Sequence, residues 1–179
     1  MRHHLDRMAG GFAGLTGVDV ASVGTSALVG EPISPPMASL LTKAGAPADN
    51  FVARQITPEA VRAADLVLTM SSAHRRQTVT LVPVAVQHTF VLGELEHMLG
   101  HVDPEEVTTV AGVGASSGER LRTTVALAKR YRTPGVDPAE DIVDPYRRSD
   151  AVYATSFRQI QAALEPLVRL LTAGPSISG

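Results

Sequence analysis

The sequence predicts an α/β fold with a parallel sheet, and three observations carry that reading. Leu66-Val67-Leu68-Thr69-Met70 and Thr89-Phe90-Val91-Leu92 are near-continuous apolar runs of strand length, the character of parallel strands buried on both faces. Each run is followed at once by a segment carrying helix signals. The two kinds of segment alternate along the chain, as a strand–helix–strand crossover requires.

Taken in order, residues 1–10 predict a helix with Leu5 and Met8 on one face, stopped by Gly10 and Gly11. Val18 to Val23 alternates as a short strand, and Gly24-Thr25-Ser26 follows as a turn. Pro32, Pro35 and Pro36 mark a loop, with Pro36 at the start of a helix from Met37 to Ala44. That helix is expected to bury Leu40 and Leu41 and to stop at Gly45. Thr57 is a good N-cap and Pro58 suits the first helical position. The second strand, Leu66 to Met70, is entered from Asp65, and Ser71 or Ser72 can cap the helix carrying His74, Arg75 and Arg76. The third strand, Thr89 to Leu92, leads through Gly93 into a helix with Leu95, Met98 and Leu99.

Between Gly100 and Pro138 the pattern is weaker. Gly112-Val113-Gly114-Ala115-Ser116-Ser117-Gly118 has the glycines of a phosphate-binding loop but lacks its lysine and follows no convincing strand. Ser116 with Glu119 reads better as a capping box that opens a helix through Leu121, Val125 and Ala128. The last helix is clearer: Tyr153, Phe157, Ile160, Leu164, Leu167 and Leu171 recur at spacings of four and three. An interior proline costs about 3 kcal/mol, so Pro166 is expected to kink or restart it. Residues 1–173 read as one domain, and residues 174–179 as a frayed tail.

Composition narrows the function. Charged residues make up 19% of the chain and the formal net charge is −2, which argues against a strongly basic nucleic-acid binder and against an acidic disordered chain. There is no cysteine, so disulfides, thiolate metal sites and a cysteine nucleophile are excluded for these residues. No apolar run approaches the roughly 20 residues of a membrane-spanning helix, and the first residues lack the apolar stretch of a signal peptide. A cytoplasmic protein without a membrane partner is expected. The six histidines show no ligand spacing, and neither a metal nor a cofactor is expected.

Several segments, in order, resemble the low-molecular-weight protein tyrosine phosphatases of actinobacterial type. They are Ser22-Val23-Gly24-Thr25, Val29-Gly30-Glu31-Pro32, Ala53-Arg54-Gln55-Ile56-Thr57-Pro58-Glu59, Ala64-Asp65-Leu66-Val67-Leu68-Thr69-Met70, Phe90-Val91-Leu92-Gly93-Glu94-Leu95 and Asp141-Ile142-Val143-Asp144-Pro145-Tyr146. The Asp-Pro-Tyr segment before a C-terminal helix is the most specific. The resemblance implies a flavodoxin-like four-stranded parallel sheet with helices on both faces, and hydrolysis of phosphotyrosine on tyrosine-phosphorylated proteins. In that scheme a cysteine in a C-x5-R loop after the first strand attacks phosphorus, backbone N–H groups and the arginine hold the phosphate, and an aspartic acid protonates the leaving phenolate.

Carried over residue by residue, the resemblance makes Asp144 the general acid and Tyr146 the aromatic wall beside the phosphotyrosine ring. Without it, Asp144-Pro145 is an ordinary turn ahead of a helix and Tyr146 a half-buried packing residue. Arg147 stands where a second aromatic is common, either reading acidic groups beside the substrate or simply solvated. Ser22 matches a serine that steadies the catalytic loop, and Arg54 a supporting arginine. Three features depart from the pattern. Phe51 replaces a histidine, Ala27 or Leu28 replaces an aromatic wall, and no C-x5-R loop is present. Residues 1–5 resemble the back half of the helix that follows the loop. The expectation is therefore a truncated phosphatase whose first strand and catalytic loop are missing from the front and which is inactive as written. The alternative is a non-catalytic pseudophosphatase or binding protein.

Overall fold

A computed structural model of the chain describes residues 15–48, 51–132 and 141–172. The predicted helix at residues 1–10 and the tail at 174–179 lie outside them. The described elements are α1 (Pro35–Lys43), α2 (Pro58–Ala63), β1 (Val67–Thr69), α3 (Ser72–Leu81), β2 (Thr89–Val91), α4 (Leu92–Leu99), α5 (Pro104–Ala111), α6 (Ser117–Ala128) and α7 (Asp150–Thr172). The predicted strand–helix alternation is thus present at its centre. β1 and β2 pair in parallel, with Val67 opposite Thr89, Leu68 opposite Phe90 and Thr69 opposite Val91. A parallel pair needs a long crossover, supplied here by α3 and a 3₁₀ turn at Pro83–Gln87.

Successive strand side chains point to opposite faces of a sheet, so the packing partners show what covers each face. Leu66, Leu68 and Phe90 join the main core with Leu95, Met98, Val107, Leu127 and Leu170, drawn from α4, α5, α6 and α7. Val67 packs instead against Val61 of α2, Val82 at the end of α3 and Ala85 of the 3₁₀ turn. Helical elements therefore cover both faces.

The local signals mostly hold. Thr57 Oγ1 accepts a hydrogen bond from Ala60 N at 3.2 Å, with Pro58 at the first helical position. Ser71, rather than Ser72, supplies the side-chain cap of α3, accepting from His74 N at 3.2 Å. The Ser116–Glu119 capping box opens α6. Its Glu119 carboxyl is held below the ordinary carboxylate range, first by the Ser116 hydroxyl and then by the Ser116 backbone N–H.

Five expectations are corrected. Val18 to Val23 forms no strand; a lone parallel bridge joins Gly24 to Gln55. An extended segment becomes a strand only beside a neighbour that satisfies its backbone, and among the described residues none runs along it. With no second ladder beside it among the described residues, β1 is packed on both faces but not fully buried: Val67 and Leu68 are only partly buried, whereas every residue of β2 is buried. Leu40 and Leu41 are likewise half-buried, because α1 lies at the margin of the core and buries no residue fully. α7 runs unbroken through Pro166, so no restart occurs. Finally, its buried stripe is rotated: Ser156 and Ala163 are buried with Tyr153, Leu167, Leu170 and Leu171, while Phe157 and Leu164 flank them. Small side chains at the centre of a helix contact let the neighbouring backbone approach, and the larger residues fill the sides.

α5 is an element that sequence periodicity misses. Asp103 caps it, accepting from Glu105 N at 2.8 Å, and Pro104 starts it. Two polar clamps tie the helices together. Arg120 on α6, buried to 6% exposure, donates from Nε and Nη2 to the Leu170 carbonyl near the end of α7, at 3.1 and 2.9 Å. A guanidinium there satisfies a carbonyl that the helix itself leaves open. Glu94 on α4 pairs with Arg132 at 2.7 Å and lies 3.9 Å from Arg75. Its other oxygen accepts from Val91 N at 3.2 Å, and the Arg132 guanidinium lies over the Phe90 ring at 4.5 Å.

Candidate functional site

In a parallel α/β sheet, ligands are bound beyond the carboxyl ends of the strands. The loop carrying Asp144 is fastened at that end. Ile142 N donates to the carbonyl of Met70, the residue after β1, at 2.9 Å. One step earlier, Asp141 Oδ1 accepts from Ser72 N at 2.8 Å and from Ser72 Oγ at 3.1 Å, at the N-terminus of α3. That is the favourable place for a carboxylate on a helix. From the other side, Gln159 Oε1 on α7 accepts from Val143 N at 3.0 Å. Three successive residues are thus anchored to three separate elements before the chain reaches Asp144.

Pro145 keeps Asp144 out of helical conformation. Asp144 Oδ1 accepts from Tyr146 N at 3.0 Å, an Asx turn, and Arg148 N closes the next turn on the Pro145 carbonyl at 2.9 Å. Asp144 is exposed, and among the described residues its Oδ2 makes no hydrogen bond. One oxygen is held while the other faces solvent, an arrangement that can present or accept a proton without moving the loop. Arg147 sits at φ 57°, a left-handed conformation uncommon for a side-chain-bearing residue, and its guanidinium lies over the Tyr146 ring at 5.1 Å. Tyr146 is 50% exposed, so its ring is a surface rather than a core wedge.

Ser22 and Arg54 also meet. Arg54 Nη2 donates to the Ser22 carbonyl at 3.2 Å. The contact engages the serine backbone, and the Ser22 hydroxyl has no partner among the described residues. Around them Gly24 N donates to Arg54 O and Ile56 N to Gly24 O, both at 2.9 Å. Gln55, not singled out from sequence, clasps the adjoining turn: Oε1 accepts from Ala27 N at 3.0 Å and Nε2 donates to Thr25 O at 2.9 Å. The structure therefore gathers the five expected residues into two groups, Asp144–Tyr146–Arg147 and Ser22–Arg54. No hydrogen bond or ion pair joins the groups among the described residues. Asp141, Ser72 and Gln159 escaped sequence reasoning as supports of the loop that carries Asp144. Asp141 was visible inside the Asp-Pro-Tyr segment, whereas Gln159 carries no local signal.

The sequence model of the low molecular weight phosphotyrosine protein phosphatase family matches residues 7–111, more than half of the chain. The chain belongs to that family. The matched residues include Ser22 and Arg54 and end before the loop that carries Asp144. A probable low molecular weight protein-tyrosine-phosphatase EpsP of Ralstonia solanacearum is 35% identical over 82 residues, and one of Ralstonia nicotianae is 34% identical over the same length. Each match covers 46% of this chain and 57% of the relative, so the chain spans just over half the length of the curated relatives it matches. Among solved structures, the Erwinia amylovora tyrosine phosphatase AmsI superposes with a TM-score of 0.61 at 19% identity, over 93% of this chain and 83% of its own. Vibrio vulnificus Wzb, in complex with benzylphosphonate, gives 0.56 at 19% identity, over 84% and 78%. These likenesses define the fold, the flavodoxin-like α/β fold of the low-molecular-weight phosphatases.

Proposed function

We propose that these residues form the acid-bearing and substrate-facing part of a protein tyrosine phosphatase fold and do not by themselves hydrolyse phosphotyrosine. The observation that carries the proposal is the pairing of an anchored, half-engaged Asp144 carboxylate with a sequence that holds no cysteine. Family chemistry passes through a phosphocysteine, and the sequence holds neither a cysteine nor a C-x5-R loop. In this reading Asp144 is the general acid toward a leaving phenolate, and Tyr146 is the wall against which an aromatic ring lies. Arg147 adds positive charge at that wall, and Ser22 with Arg54 supports the loop that would hold phosphate. The matching substrate class is the tyrosine-phosphorylated protein, in a cytoplasmic setting, with no cofactor.

The test is turnover of p-nitrophenyl phosphate by the purified chain. No activity above background is expected. Turnover that co-purifies with the chain and falls on Asp144→Asn would overturn the proposal and call for a different nucleophile.

The exposed Tyr146–Arg147 pair also favours a second reading, a non-catalytic binding protein. An aromatic face backed by a guanidinium suits a phosphorylated or acidic aromatic peptide. Measurable affinity for a phosphotyrosine peptide, reduced by Tyr146→Ala while turnover stays absent, would select this reading over a chain that does neither.

A further inference from the structure

The sequence reading of the histidines as showing no ligand spacing is corrected for one pair, His97 and His101, whose rings meet in the structure. His97 lies in the last turn of α4 and His101 just beyond it, four residues on. Four residues is one helical turn, the separation that puts two side chains on one face. Their ring centres are 5.2 Å apart and the ring planes cross at 78°. Both side chains are exposed, and among the described residues no hydrogen bond occupies the nitrogens of either ring. The His101 ring is in turn stacked on Tyr131, with centres 5.2 Å apart and planes 27° apart, a contact that limits its rotation. Both rings line one open groove with Glu96, Ile142 and Gln159.

We propose that His97 and His101 form a two-imidazole site for a borderline divalent ion, with zinc as the representative. Zinc binds imidazole nitrogen at about 2.0–2.1 Å and prefers tetrahedral angles; an ion so placed lies roughly 3.2 Å from each ring centre and holds the centres roughly 5 Å apart. The observed separation meets that requirement. An imidazole ligand also keeps the ion near its own ring plane. Planes that cross share a line along which an ion can lie in both ring planes, which stacked parallel rings cannot offer. Among the described residues no group of three or more histidines and carboxylates gathers to hold a metal. Solvent therefore completes the shell, making this an open, exchangeable site rather than a structural one. Ile142 and Gln159 belong to the mooring of the acid loop, so an occupied groove adjoins that loop.

The experiment is zinc titration of the full chain at about pH 7.5, since zinc competes with protons for imidazole nitrogen. It uses a His3→Ala/His4→Ala background that removes the other adjacent histidine pair. Calorimetry is expected to show one saturable site, and the histidine side-chain NMR signals of His97 and His101 to move together. His97→Ala and His101→Ala are each expected to weaken binding about tenfold or more, with His74→Ala as an unaffected control. Both side chains are exposed, and an unchanged melting temperature verifies the fold; His101→Gln serves if His101→Ala disturbs it. Three results would overturn the site: no saturable binding below roughly 1 mM zinc, binding that survives either substitution, or binding that depends on only one of the two histidines.

Discussion

Glu94 shows how much one side chain can hold. Its carboxylate is 16% exposed, accepts from Arg132 Nε and the Val91 N–H, and lies within ion-pair range of Arg75. Removing the carboxylate costs more than the net worth of the pair, because two half-buried guanidinium groups lose their counter-charge and keep only carbonyl acceptors, Thr89 O for both and Val86 O for Arg132. Partial exposure reduces that cost from the fully buried case. Glu94→Ala is therefore expected to lower stability by about 1–3 kcal/mol, read as a fall in the urea midpoint at an unchanged slope. A midpoint equal to the parent's would mean that solvent replaces the carboxylate without loss. None of this was legible in the sequence, because Glu94 and Arg132 lie 38 residues apart. Asp144 is the opposite case. Its neighbour Pro145 already dictates an extended, side-chain-presenting turn, and the structure adds the three anchors that precede it.

At the scale of elements, caps were readable and faces less so. Thr57-Pro58, Ser71 and Ser116…Glu119 start helices where their local chemistry says they should, because a cap satisfies donors within three residues of itself. α5 went unread although Asp103-Pro104-Glu105-Glu106 is a start signal of the same kind. It buries only Val107 and leaves Val110 exposed, so it lacks the apolar period on which a helix is usually recognised. A helix start also reveals a long-range contact. Gly118 N donates to Thr16 O at 3.3 Å, and a Cβ on Gly118 would collide with the Gly17 carbonyl oxygen. Helix propensity alone favours alanine over glycine by about 1 kcal/mol. The collision is with backbone, which cannot rotate away, so Gly118→Ala is expected to destabilise by about 1–3 kcal/mol instead. Thermal unfolding decides the sign; a raised melting temperature would show that the 15–17 segment is not seated on α6.

For the molecule as a whole, the weak side is the edge of the sheet. β2 is buried throughout, while β1 has a ladder on one side only among the described residues and residues 18–23 have none. Val23, at 42% exposure, adjoins the lone Gly24–Gln55 bridge, and Leu28, Val29 and Val52 on the same two stretches are exposed as well. Unpaired extended backbone beside apolar side chains templates association between chains. Val23→Lys is therefore expected to reduce concentration-dependent light scattering while changing stability by less than about 0.5 kcal/mol, since the side chain is already outside the core. Scattering equal to the parent's would place the association surface elsewhere.

By itself the sequence determined the fold class, the starts of most helices, the two paired strands and the turn that presents Asp144. These depend on interactions within a few residues, or on apolar runs that suit only a buried strand. Tertiary structure alone decided which apolar runs became strands, since Val18 to Val23 has strand pattern but no neighbour to bond. It also decided which face of α7 is buried, because Ser156 and Ala163 are selected by the closeness of packing and not by their hydrophobicity. The same holds for the partners of Arg54, Arg120 and Gln159, which lie 32, 50 and 16 residues away. Contacts over such separations leave no local pattern, because a side chain's chemistry states what it can bond and only the folded backbone states what it meets.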